Sequence, residues 1–264
     1  MKLLTLNCHS WHEENQLAKI RTLAETIKEH SYDVIALQEV SQSLEQPQVN
    51  ETYKSDHFVP LLLEELQQLD AAMYHSIWAF NHYCKGGTYE EGVAILTNHP
   101  IVNTHTFFTT KSQDPTEKNT RKAVGATISI DGKKYDFYSC HQGWWHDETE
   151  PFPDQFQRLL NNIPNERPCF LMGDFNNNAH IRNEGYDYMI NNGMLDTYSL
   201  AIEKDNGITV QRSIAGWDNN NHHLRIDLIL TNQPTNVLQS KVIFNGTNKP
   251  IISDHYGVHV EIKN

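Results

Sequence analysis

Residues 169–178 read CFLMGDFNNN. An apolar run reaches a glycine, and Asp174 and Asn176 follow at once, so a buried strand stops where an acid and an amide begin. Taken alone, a strand-end Asp or Asn is a turn former or a solvated cap. Three further apolar runs end in a similar way: LLTLN at Asn7, VIALQE at Glu39 and DFYSCH at His141. Turn chemistry predicts no such mixture of acid, amide and base at so many endings. Ligand sites in α/β sheets lie beyond strand ends, and these endings are therefore expected to converge on one crevice.

Outward from that stretch, KLLTLN (2–7) reads as a short buried strand and YDVIALQEV (32–40) as another. Between them, residues 15–29 place Leu17, Ile20, Ala24 and Ile27 at helical spacing. PLLLEELQQL (60–69) reads as a helix with Pro60 at its start, and YHSIWAFNHY (74–83) as a strand entering the loop CKGGTYEEG (84–92). VAILT (93–97) and, after the break at Pro100, IVNTHTFF (101–108) read as adjacent strands. A polar stretch, 111–121, precedes AVGATISI (123–130), which DGKK joins to YDFYSC (135–140) as a hairpin. A helix is expected over 154–162, and after a polar middle the strands resume in LRIDLIL, SKVIF and YGVHVEI. No repeat, low-complexity tract or Pro/Gly/Ser linker appears, so one domain over 1–264 is expected, with many strands and few helices.

A chain of 264 residues buries a sizeable core. Its net charge of -12 and pI near 5.6 oppose non-specific attraction to a polyanion, which weighs against a nucleic-acid partner. Cys8, Cys84, Cys140 and Cys169 have no CxxC spacing and read as reduced thiols, three of them in or beside apolar runs. MKLLTL is too short for a signal h-region, and no run approaches a membrane span, so a cytoplasmic protein without a membrane partner is expected.

Two C-terminal motifs add to the chemistry. LRIDLIL sets Asp227 within an apolar run, where a carboxylate is costly unless paired, and IISDHYGV sets Asp254 beside His255. His255 is the expected partner of Asp227. The oxygen-rich set Asn7, Glu39, Asp174, Asn176 and Asp254 suits a hard divalent cation, magnesium or manganese, with a phosphate ester as the natural substrate. Neither HExxH nor a familiar Cys/His spacing is present, which disfavours zinc. His9, His12, His57, His99, His222 and His223 follow no pattern and receive no role.

The motifs LLTLNCHSW, DVIALQEV, GVAILTNHPI, LMGDFNN, RIDLIL and SDHYGV resemble, in order, those of the endonuclease/exonuclease/phosphatase superfamily, from Lys2 to about Ile262. The resemblance implies a four-layer α/β/β/α sandwich, two mostly antiparallel sheets face to face between helices, with the site at one end. It also implies magnesium-dependent attack of water on phosphorus. By the same resemblance Glu39 is the principal metal ligand, with Asn7 next to it and Asp254 in or near the metal shell. Asp174 orients and deprotonates the attacking water, and Asn176 donates to a phosphoryl oxygen. His255, kept cationic by Asp227, and His141 contact the phosphate. Arg121 stands where relatives carry a phosphate-facing arginine, the alternative being a solvated loop residue. Glu91, before GVAIL, either joins the site or caps its strand.

The superfamily includes nucleases, sphingomyelinases and sugar-phosphate phosphatases, so the catalytic set does not select the substrate. Four of the five tryptophans lie near catalytic motifs: Trp11, Trp144, Trp145 and Trp217. Indole faces pack on sugar C–H faces, with Asn, Gln and His free to bond hydroxyls. The same tryptophans could instead fill the core or stack on bases. The opening MKLLTLNCHSWHEENQ, with QGWW, is similar to the branch of the superfamily that dephosphorylates maltose 6'-phosphate. The expectation is a phosphomonoesterase for a disaccharide phosphate; the alternative is a phosphodiesterase acting on nucleic acid or a phospholipid-type diester. Oligomeric state is left open.

Overall fold

The computed structural model describes residues 1–164, 166–211, 213–218 and 220–263. In chain order the elements are β1 (Lys2–Asn7), α1 (Gln16–His30), β2 (Val34–Ser43), α2 (Phe58–Gln68), β3 (His75–Cys84), β4 (Tyr89–Thr97) and β5 (Ile101–Phe108). There follow β6 (Lys122–Ile130), β7 (Lys133–His141), α3 (Phe152–Asn161), β8 (Cys169–Asp174), α4 (Gly185–Asn191), β9 (Leu195–Asp196) and α5 (Thr197–Leu200). The chain closes with β10 (Glu203–Lys204), β11 (Asp227–Thr231), β12 (Val237–Ile243) and β13 (Gly257–Ile262). One sheet runs β10-β12-β13-β1-β2-β4-β3 and the other β5-β6-β7-β8-β11-β9. Pairing is mostly antiparallel. Two of the parallel pairs, β1–β2 and β7–β8, are spanned by the crossover helices α1 and α3.

Alternation of side chains along the strands divides the apolar residues among three layers. Leu3, Val34, Ala36, Val93 and Ile95 of the first sheet meet Val124, Phe137, Phe170, Met172 and Ile229 of the second in the central core. Leu4, Leu6, Ile35, Leu37 and Leu96 face the other way, onto Ile20, Leu23, Leu62 and Leu66 of α1 and α2. Tyr138, Cys140, Leu171 and Leu228 likewise take α3 and α4 through Phe152, Phe156, Leu159 and Met189. The result is the expected α/β/β/α sandwich.

The same alternation positions the site. Inward-facing positions run Leu3, Thr5, Asn7 on β1, Val34, Ala36, Gln38 on β2, Phe137, Ser139, His141 on β7, and Phe170, Met172, Asp174 on β8. The central core therefore turns polar toward one end. There Gln38 Nε2 donates to Ser139 Oγ across the sheets at 3.0 Å, and Thr5 Oγ1 donates to Gln38 Oε1 at 3.2 Å. Glu39 escapes the alternation at a bulge, where the β2–β4 register shifts between Leu37 and Val40, and its φ of 51° is left-handed.

Several boundaries differ from the sequence reading. The helix expected at Pro60 starts at Phe58, because the His57 ring accepts the Val59 amide and caps it. The expected loop 84–92 is shorter, since Tyr89–Gly92 already pair with β2 and β3. Asp227 is the first residue of β11, not an interior one: Leu224 and Ile226 pack with Val210 in a small separate cluster. All four cysteines are free, and Cys84 is only half-buried. Among the described residues no helix is long and apolar enough to cross a membrane.

Gly173 makes the delivery of Asp174 possible. Its φ is 151°, and a Cβ there would stand 1.9 Å from the Cys140 carbonyl oxygen of the neighbouring strand. Backbone on both sides cannot yield as a flexible side chain would. Gly173→Ala is expected to lower the unfolding free energy by about 3 kcal/mol or more. Chemical denaturation measures it, and an unchanged midpoint would contradict the packing described.

Candidate active site

Strand register places the acids and bases. His141 of β7 lies opposite Asp174 of β8, which lies opposite Asp227 of β11. All three are buried and face the polar end of the central core. From the first sheet, Asn7 Nδ2 donates to Glu39 Oε1 at 2.9 Å and to Asp174 Oδ2 at 3.2 Å. Its Oδ1 accepts the His9 amide at 3.1 Å, which fixes the amide orientation. Asn7, expected beside the metal as a ligand, thus positions the two carboxylates in this arrangement. Ser253 Oγ donates to the Asn7 carbonyl at 2.7 Å and holds the SDH turn against the end of β1.

The expected Asp227–His255 pair is present. His255 Nδ1 lies 2.9 Å from Asp227 Oδ2, and its Nε2 lies 3.8 Å from Asp174 Oδ2. Burial alone would lower the His255 pKa, but the Asp227 and Asp174 carboxylates outweigh it and hold the ring well above its usual value. Burial, with Asp227 close by, pushes Asp174 up to about 7 against the pull of His255. The Asn176 amide donates to Asp174 Oδ1 at 2.8 Å. His141, whose Nε2 is 3.7 Å from Asp174 Oδ2, is held well below its usual pKa by burial and by Arg121. Trp217 Nε1 donates to Asn176 Oδ1 at 3.1 Å, which sets the Asn176 amide with its NH2 on the His141 side.

Of these groups, His141, Asp174, Asn176 and His255 line a cavity of about 450 Å³, together with Glu39, Asp254 and Arg121. Arg121 is buried and lines the cavity rather than standing solvated on a loop, and is anchored from Nη1 by the Lys118 carbonyl at 2.8 Å and His82 Nδ1 at 3.1 Å. The polar stretch 111–121 is pinned rather than loose: Glu150 accepts the Lys111 and Ser112 amides, and Asn119 donates to Asp147. Glu39, Glu91, Asp174, Asp218 and Asp254 line the cavity along with Lys118 and Arg121. So many carboxylates repel a phosphate dianion unless a cation offsets them, and the carboxylate oxygens lining the cavity, Glu39 and Asp254 among them, are the donor type that a hard divalent ion takes.

A second cavity, of about 420 Å³, adjoins the first and shares Trp144, Asn176 and Gly216 with it. Trp144, Trp145 and Trp217 form its aromatic wall, and Asp147, Asn177, Asn178 and Glu184 its polar one. Gly216 lies flat on Trp144: a Cβ on it would meet the indole at 2.2 Å. Trp145 also packs against Phe152 and Tyr188. Trp11, expected with this group, lines neither cavity; its indole donates to the Asp56 carbonyl at 3.0 Å, held there by the turn that follows β1.

The sequence reading missed part of the lining. His9, His12, Cys84, Lys118 and Asp218 reach the catalytic cavity, and Glu91 joins it rather than capping its strand. His9 Nδ1 lies 2.7 Å from Glu13 Oε1 and 3.5 Å from Asp254 Oδ1. The available signal was proximity: His9 and His12 follow Asn7 beyond the same strand end.

Residues 4–255 match the model of the Endonuclease/Exonuclease/phosphatase family. No curated protein matches the sequence. An endonuclease/exonuclease/phosphatase family protein from Leptotrichia buccalis C-1013-b is 39% identical with a TM-score of 0.93, each chain covered over 100% of its length. A mannosyl-6-phosphatase from Bacteroides thetaiotaomicron VPI-5482 has a TM-score of 0.71 at 16% identity, with both chains fully covered (100%). D. rerio TDP2 complexed with single strand DNA product has 0.67 at 14%, covering 100% of this chain and 99% of its own. The last two likenesses concern the fold alone.

Asp227 raises the pKa of both Asp174 and His255, so removing its charge lowers both. In the reaction proposed below Asp174 acts as carboxylate and His255 as cation, which would assign the acid limb of the pH profile to the first and the alkaline limb to the second. Asp227→Asn is expected to move both limbs of kcat/KM against pH toward lower pH. Limbs that stay in place would contradict the charge coupling.

Proposed function

The chain belongs to the endonuclease/exonuclease/phosphatase family, and we propose that within it this protein is a divalent-metal-dependent phosphomonoesterase of sugar phosphates. The preferred substrate is a disaccharide phosphate such as maltose 6'-phosphate, cleaved to free sugar and inorganic phosphate. The observation that carries this reading is the pair of adjoining cavities, one built of acids and bases and the other of tryptophans and asparagines. A phosphate seated in the first leaves its sugar in the second, where indole faces suit C–H surfaces and Asn177, Asn178 and Glu184 suit hydroxyls. The net charge of -12 supports a small anion over a polyanion. Among folds of this shape one is named a mannosyl-6-phosphatase and another carries single strand DNA product, so the substrate rests on the second cavity.

In the proposed reaction a magnesium or manganese ion held by Glu39, with Asp254 close by, supplies the positive charge that the phosphate needs. Asp174 accepts a proton from water at its carboxylate as the water oxygen bonds to phosphorus and the phosphorus–sugar oxygen bond breaks, the departing sugar oxygen taking up a proton from solvent water. Cationic His255 donates to a phosphoryl oxygen from Nε2, its other nitrogen fixed by Asp227. Asn176, held by Trp217, and Arg121, held by its buried anchors, meet the remaining oxygens. Asn7 keeps Glu39 and Asp174 at a fixed separation by bonding both.

Inorganic phosphate release with magnesium, against a chelator control, tests the reading across maltose 6'-phosphate, trehalose 6-phosphate, glucose 6-phosphate, a chromogenic diester and single- and double-stranded DNA. Highest kcat/KM on a disaccharide phosphate is expected; cleavage of the diester or DNA alone would return the protein to the phosphodiesterases. Asp174→Asn should lower kcat about a hundred- to ten-thousand-fold with an unchanged unfolding midpoint, and near-normal turnover would sink its role as base. Trp144→Ala should raise KM for the disaccharide phosphate more than for glucose 6-phosphate. Equal effects on both would remove the second cavity from substrate recognition.

A further inference from the structure

Three ligating side chains that the reaction above does not use, His12, Cys84 and Glu91, meet on the wall of the catalytic cavity that also carries Glu39. Their ring nitrogen, sulfur and carboxylate oxygen all lie within 4.8 Å of one another. Separate segments deliver them: His12 follows β1, Cys84 ends β3 and Glu91 lies in β4. On β2, Ser41 is the register partner of Glu91, which puts Glu91 two residues along from the bulge that carries Glu39.

The segment that brings His12 in is shaped by several independent contacts. His9, Trp11 and Asn15 all adopt left-handed backbone, with φ of 44°, 60° and 55°. The His12 amide bonds the His9 carbonyl at 3.1 Å, and the two rings stack with centroids 4.7 Å apart. Lys85, next to Cys84, donates to the Trp11 carbonyl and ties the segment to the end of β3. The Cys84 thiol is hydrogen-bonded to the buried Glu91 carboxyl, and His82 Nε2 stands 3.5 Å from Glu91 Oε1.

We propose that His12, Cys84 and Glu91 form a second cation site, suited to a borderline-soft divalent ion such as zinc and separate from the oxygen-rich position at Glu39. One nitrogen, one sulfur and one oxygen ligand match zinc, whereas magnesium takes oxygen ligands and gains little from a thiol. Three protein ligands leave a fourth position open, the pattern of zinc sites that meet water or a ligand. Binding replaces the Cys84 thiol proton, which leaves to solvent, with the metal–sulfur bond. His12 is exposed, so the ion has a route in from the cavity mouth. Cys8, Cys140 and Cys169 are buried in apolar clusters and offer no such set among the described residues.

The test uses the full chain, stripped with chelator, returned to saturating magnesium and titrated with cobalt(II) as a spectroscopic substitute for zinc. One cobalt per chain should bind with a thiolate-to-cobalt charge-transfer band, and zinc should abolish the band. Cys84→Ser should remove the band. His12→Ala, at an exposed position that does not threaten folding, should weaken cobalt binding at least about tenfold. No binding, binding without the thiolate band, a band that survives Cys84→Ser, or unchanged affinity in His12→Ala would each overturn the proposal.

Discussion

Two carboxylates, Asp174 and Asp227, stand opposite each other in the β8–β11 register, both buried at the end of the central core. Burial and mutual repulsion both oppose ionising such a pair, and a nearby cation eases that cost. His255 stands between the two, bonded to Asp227 at 2.9 Å and facing Asp174 at 3.8 Å, and both carboxylates raise its pKa. Most other features of the site follow from keeping that trio in place. Ser253 fixes the turn that holds His255, Asn7 links the trio to Glu39, and Gly173 lets β8 pass close enough to β7 to set Asp174 beside His141.

The strand-end pattern was legible because side-chain alternation is a property of sequence. Asn7, His141 and Asp174 each fall on the inward parity of their strands, in line with Leu3 and Thr5, Phe137 and Ser139, and Phe170 and Met172, and that parity sends them to one crevice. Glu39 was found for a different reason. It ends an apolar run, yet it reaches the site through a bulge and a left-handed φ that the run does not announce. Asp227 was read as interior to a strand because Leu224 and Ile226 are apolar, although they serve a separate small cluster with Val210. The pairing with His255 nonetheless followed from the cost of burying an unpaired carboxylate.

What was not legible depends on contacts between distant segments. The short helices α4 and α5 lie in a polar stretch, where few buried residues such as Tyr186 and Met189 carry the packing and no clear period emerges. Trp11 resembles the other tryptophans in its distance from a motif, but the turn after β1 directs it to the Asp56 carbonyl. The meeting of His12, Cys84 and Glu91 requires the β3–β4 hairpin and the strained segment after β1 to be in place, and no spacing in the sequence encodes it.

The central claim is that one cavity holds a hard cation at Glu39 and a phosphate between His255, Asn176 and Arg121. A crystal grown with manganese and inorganic phosphate tests it directly through the anomalous signal of the metal. The account predicts manganese within bonding distance of a Glu39 oxygen and phosphate oxygens in contact with His255 and Asn176. Manganese held elsewhere, or phosphate bound without either residue, would contradict it.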